Sequence, residues 1–224
     1  TVSADVAPSA VTNLHILGGS TVTGTAGGVT TTGLAITAGG AVNFTDSTTN
    51  VTNLAIDTST GNVTFTEADG LSVTTVDSIV GVDTDSGSVA LSATAGSLTV
   101  VNTGNADDVA ATTTVALTAG GDDSTLTISS SADVESTGGA HTYTADKMDL
   151  SGTITATGQV VTLAPEVVAD SGDAVDVGGA DGTNTLGLTD AELDRVTAGT
   201  IRLGAATATG GITVSADVGP ANST

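Results

Sequence analysis

NLHILGGSTVTG, residues 13–24, is followed by GLAITAGGAVNF, residues 33–44, and by NLAIDTSTGNVTF, residues 53–65. Laid beneath one another at a step of 20 residues, they align Leu14 with Leu34 and Leu54, and Ile16 with Ile36 and Ile56. After a glycine-containing turn, Val22 and Val42 align, and Val63 follows with one residue inserted. Each unit alternates apolar and polar residues, the period of a strand with one face in and one face out. A sandwich has no reason to repeat its sequence at every second strand. A solenoid does, because each coil meets the same environment as the last.

The same apolar-x-apolar triplet recurs less regularly from Leu71-Ser72-Val73 to Ile212-Thr213-Val214, with Gly, Asn, Asp and Ser between. The predicted fold is therefore all-β, a parallel β-solenoid (β-helix) with coils of about 20 residues. Leu14, Leu34, Leu54, Ile16, Ile36 and Ile56 are its expected inner columns, and outward Thr hydroxyls are expected to bond along the stack.

A longer repeat encloses the short one. TVSADVAP, residues 1–8, returns as TVSADVGP at residues 213–220, with Ala7 replaced by Gly219. The chain reads as a single solenoid segment, residues 1–224, and as one 212-residue period of a longer tandem array. At ~4.8 Å per coil, ten or eleven coils make a period roughly 50 Å long. Thr1 reads as the start of a mature fragment or of a repeat, since no signal peptide is visible.

Composition fits a thin core. Aromatic residues are 1% and hydrophobic ones 38%, so the interior must be built from Val, Leu, Ile, Ala and Thr methyl groups. A net charge of -22, with only Lys147, Arg195 and Arg202 basic, disfavours nucleic acid, whose affinity rests on Lys and Arg at phosphates. No apolar run reaches the length of a membrane span. There is no cysteine for disulfides or thiolate metal sites.

LTDAELDRVTAG, residues 188–199, breaks the β pattern. Thr189 and Glu192 stand in capping-box spacing, Arg195 falls near the end and Gly199 follows. A helical turn near residues 189–196, about two turns long, is expected at a coil corner or at the joint between periods.

NVTFTEADGLSV, LTAGGDDSTLTI, YTADKMDLSGTITATGQVVTLAP and LGLTDAELDRVTAGTIRLG resemble segments of giant secreted bacterial proteins. These are the β-strand-repeat, filamentous-haemagglutinin-like adhesins and related Gly- and Thr-rich surface proteins. The resemblance covers residues 13–218 and implies a parallel β-helix, an extracellular or cell-surface location, and a role as filament, stalk or adhesin. Its implied partner is itself, through adjacent repeats end to end. The alternatives are an adhesive module binding glycans or other cells, and a β-helix polysaccharide lyase or hydrolase.

The catalytic inventory is close to empty. His15 and His141 read as surface residues, and Tyr143 as a packing residue near a coil edge. No nucleophile elbow, phosphate loop or zinc-helix motif accompanies them. The expectation is no enzyme, no cofactor and no nucleic-acid partner. The neighbouring pairs Asp107-Asp108 and Asp122-Asp123 read as solvated turns. Calcium is the candidate ion, because Asp83, Asp85, Asp170, Asp173, Asp176 and Asp181 sit in acidic loops offering hard oxygen ligands. Binding there is expected to raise the melting temperature.

Overall fold

A computed structural model describes residues 1–167 and 173–222. Among them nearly all regular structure is parallel β. Eighteen strands form one sheet. Ala174–Val177, Thr185–Leu188 and Ile212–Val214 form a second, also parallel. Thr75–Val76 and Ile79–Val80 form an antiparallel hairpin.

Pairing resolves the large sheet into ladders. The first runs through Asn13–Gly18, Thr30–Ala38, Asn50–Thr58, Val82–Thr84, Val109–Ala111 and Asp133–Ser136. It ends in the leading halves of Thr153–Ala164 and Val196–Leu203. Leu14, Leu34 and Leu54 lie in register in it. Ile16, Ile36, Ile56, Val82, Val109, Val134, Ile154 and Val196 form one continuous column. All but Ile16 are buried, and each fully buried Val or Ile contributes about 1.5–3 kcal/mol.

The second ladder runs through Val22–Gly24, Val42–Phe44, Val63–Glu67, Val89–Ala93, Val115–Ala119 and His141–Thr144. It closes on the trailing halves of the same two long strands. A third ladder joins Leu71–Val73, Leu98–Val100, Thr125–Ile128 and Lys147–Leu150 in the middle of the chain.

Its origin is a fork. The nine-residue strand Asn50–Thr58 carries two successors: its Asn53 and Leu54 pair with Ser72 and Val73, and its Ile56 to Thr58 pair with Val82 to Thr84. Between those successors the Thr75–Val80 hairpin swings outward and covers Ala35 and Ala55. Gly81, at φ +65, turns the chain back, and a Cβ there would sit 2.3 Å from the Asp108 carbonyl oxygen. The step of 20 residues therefore holds at the start and returns only between His141 and Val161. Along the second ladder it reads 20, 21, 26, 26, 26, 20 and 40. The first ladder therefore has eight rungs, fewer and longer than equal coils require, because the third ladder and its hairpin insert residues at the turns and strands of the second sheet fill the step of 40.

Partly or fully exposed threonines bond along the stack as expected, the hydroxyls of Thr31, Thr60 and Thr137 donating to the carbonyls of Thr12, Gly39 and Thr112, and buried ones do the same. Thr58 and Thr84 are buried, and their hydroxyls donate to the carbonyls of Gly40 (2.6 Å) and Gly61 (2.8 Å) on the preceding turn. Corner carbonyls that have left the ladder are satisfied this way.

Helix α1 (Asp190–Leu193) is a single turn, half the expected length. The Arg195 carbonyl already accepts the Ile154 N–H, so the chain is back in the first ladder before a second turn can form. The capping box is present. Thr189 N–H donates to Glu192 Oε2 at 3.0 Å, and Glu192 N–H to Thr189 Oγ1 at 3.4 Å. Glu192 Oε1 also accepts the Leu150 N–H (3.3 Å) and Asp181 Oδ2 the Met148 N–H (3.1 Å). Two carboxylates thus occupy amides of the last third-ladder strand.

Candidate functional site

The chemically charged features are carboxylates, and they fall into an outer and an inner set. On the outer face of the first ladder Asp57 and Asp83 stand side by side in register, with Ala110 and Glu135 further along. Asp85, Asp107 and Asp133 lie close. Partial burial raises the Asp83 carboxyl above its ordinary value, and Asp85, Asp57 and Asp107 add to the rise. Glu135 is raised by burial first and then by Asp107. The strip is a run of mutually repelling oxygens held at strand spacing.

The inner set was invisible in the sequence. Asp108 is fully buried, not solvated. Its Oδ1 accepts the Thr103 N–H (2.8 Å) and the Thr103 hydroxyl, and its Oδ2 accepts the Asp133 N–H (3.1 Å). It staples one corner to the next rung. Glu67 is buried where its ladder partner is Ala93, and its Oε1 accepts the Val51 N–H at 3.2 Å. Asp122 and Asp123 are exposed as expected, with Asp123 paired to Lys147 at 2.9 Å.

Asp146 and Asp173 are both buried and face one another. Asp146 Oδ2 accepts the Asp123 N–H at 2.8 Å. With both groups ionised, Asp146 Oδ1 and Asp173 Oδ2 have no donor; a proton on one of them supplies the bond. Burial first, and then the Asp173 carboxyl, push Asp146 up to about 7. A folded-state value above the unfolded one means this group favours the fold at low pH and loses that contribution as pH rises from about 4 to about 7. Asp146→Asn keeps an acceptor for Asp123 and a donor for Asp173. It is expected to raise stability by on the order of 1 kcal/mol at pH 8, with the gain shrinking as pH falls and vanishing below about pH 4, read by thermal melts across that range.

The six calcium candidates do not converge. Asp83 and Asp85 lie on the outer strip. Asp173 faces Asp146. Asp176 keeps a buried Oδ1 without a donor. Asp181 spends both oxygens on backbone, accepting the Gly187 N–H (2.8 Å) and the Met148 N–H (3.1 Å), and burial pushes it up to about 6. Asp170 lies outside the described residues. Among the described residues no three His, Cys, Asp or Glu side chains are arranged to hold a metal ion.

His15 points outward, in line with Ala35 and Ala55. Its Nδ1 lies 2.7 Å from Asp77 Oδ2 and its Nε2 3.0 Å from Thr37 Oγ1. His141 is not a surface residue. It occupies the Val22, Val42, Val63, Val89, Val115 and Val161 column and is fully buried. Tyr143, also fully buried, takes the position of Phe44, Phe65, Leu91, Leu117 and Leu163. Tyr143 Oη lies 2.8 Å from His141 Nδ1, and Ser136 Oγ 2.7 Å from His141 Nε2. Ser136 Oγ in turn donates to the Gly139 carbonyl. The chain is closed and hidden from solvent, so it organises a core rather than meeting a substrate. The signal for it was a 26-residue step, Val89, Val115, His141, in which a histidine replaces an apolar residue.

No helix among the described residues is long and apolar enough to cross a membrane. No protein family, curated protein or solved structure matches the chain.

Proposed function

We propose that the chain is a structural segment of an extracellular bacterial filament, stalk or adhesin, wound as a parallel β-solenoid and stacked end to end with neighbouring periods. The carrying observation is the column from Ile16 to Val196, eight residues in parallel register that run the length of the first ladder. Two ladders share that course and one apolar core, the economy of a rod in which each rung packs on its neighbours. The resemblance to β-strand-repeat surface proteins and the -22 charge, which keeps a long rod soluble, support an external structural role over a catalytic one.

Small-angle scattering of the chain tests the shape, and immunogold labelling of intact cells tests the location. An elongated cross-section-limited profile and label on unpermeabilised cells are expected. A profile of a sphere, or label only after permeabilisation, overturns the reading.

A further inference from the structure

The two copies of the octapeptide lie at opposite ends of the stack and use opposite edges. In the first copy Val2 N–H donates to Thr23 O (2.6 Å), Val6 N–H to Gly28 O (2.9 Å), and Val6 O accepts the Thr30 N–H (2.9 Å). These bonds all go to the rung that follows. In the second copy Ser215 N–H donates to Val177 O (3.0 Å), and Val214 pairs with Val177. These go to the rung that precedes. Peptide groups of a strand alternate between its two edges. The edge left open at Val214 is therefore the edge that its equivalent, Val2, uses at the other end.

Packing agrees with the hydrogen bonds. A Cβ on Gly27 would lie 2.5 Å from the Ala4 nitrogen, and a Cβ on Gly178 would lie 2.9 Å from that of its equivalent, Ala216. The phrase's alanine is thus pressed by a glycine from the following rung in one copy and from the preceding rung in the other. Asp5 accepts the Gly28 N–H (3.1 Å) in the first copy. Asp190 accepts the Gly219 N–H (2.7 Å) and Asp194 the Ala221 N–H (2.7 Å) beside the second. Nothing lies within 4 Å of a Cβ built on Gly219, so alanine fits there as it does at Ala7. Val2 packs against the core, whereas Val214 is 68% exposed.

We propose that TVSADV(A/G)P is a single rung shared by two consecutive periods, and that the occupant of the open Val214 edge is the Val22–Thr30 rung of a second copy. The proposal rests on the end-to-end reading above and specifies its joint. In the joint, Val214 N–H donates to Thr23 of the next period and Val218 N–H to Gly28, while Ser215 keeps Val177. Asp217 takes the role of Asp5, and the Asp190 and Asp194 clamps hold the same rung from behind.

The test compares the 224-residue chain with a two-period chain, residues 1–212 followed by residues 1–224, by residue-resolved hydrogen exchange. In the single chain the Val2, Val6 and Ser215 amides are expected to be protected and Val214 to exchange freely. At the central phrase of the two-period chain the Val214, Ser215 and Val218 amides are all expected to be protected. A central Val214 amide that still exchanges freely overturns the proposal. Val214→Pro gives an independent reading, since proline is tolerated where an N–H faces solvent and not inside a ladder. It should leave the single chain's melting temperature unchanged and split the two-period melt into two transitions. Equal effects in both chains would refute the shared rung. Scattering separates the two levels of failure. A double-length rod with a freely exchanging joint removes only the shared rung, and a compact two-period particle removes the filament as well.

Discussion

Leu54→Ala is expected to lower the unfolding free energy by about 2–5 kcal/mol, measured by urea denaturation at constant m-value. Leu54 is fully buried at the fork, in register with Leu34 on one side and Val73 on the other. Parallel backbone bonds hold those neighbours at rung spacing, ~4.8 Å, so the walls cannot close over the missing methyl groups. Leu14 carries the same side chain at the end of the same column but is only half-buried, with one in-register neighbour, Leu34. Leu14→Ala should therefore cost less than half as much. Equal costs would mean that the column does not share its packing along the stack.

Tyr143→Phe is expected to cost about 1–3 kcal/mol, because it strips the buried His141 Nδ1 of its partner. The double replacement His141→Val with Tyr143→Leu should recover most of that loss. It restores the residue types found one rung away, Val115 and Leu117 on one side and Val161 and Leu163 on the other. The pair also sets an acid limb. Burial holds His141 down at about 4, below the 6.5 of the free side chain. Between those values the unfolded chain binds a proton that the folded chain refuses. The contribution is complete above about pH 6.5 and is lost as pH falls toward 4. The loss amounts to about 3 kcal/mol over that window. Asp146 acts in the opposite sense over an overlapping range, so the clean readout is the difference between the parent and the double variant. Melting temperatures that separate progressively below pH 6.5 are expected; parallel curves would show that His141 keeps an ordinary affinity for protons.

The legible part of this molecule was the part that repeats itself. Leu14, Leu34 and Leu54 announced their column because three successive rungs differ by few residues and no insertion separates them. Thr189 and Glu192 were legible because a capping box is a local contract between residues three apart. Beyond Phe65 the phase was lost. The fork at Asn50–Thr58 and the hairpin after it insert residues at the turns, and a search for equal steps cannot see a rung that gains a side. The buried polar groups were hidden for another reason. Asp108, Asp146 and Asp173 look like any acidic turn residue until the corner that folds over them is known. His141 was read as a surface residue because the 26-residue step that sets it under Val115 was not seen.

The fork has a further consequence for the outline of the particle. The third ladder begins at Leu71, and its last strand, Lys147–Leu150, gives backbone N–H groups to Asp181 and Glu192 while Thr185–Leu188 packs beside it. If periods stack end to end as proposed, the Thr75–Val80 hairpin that swings outward would recur once in each period. Micrographs of a fibre built from stacked periods would then show one such projection per period.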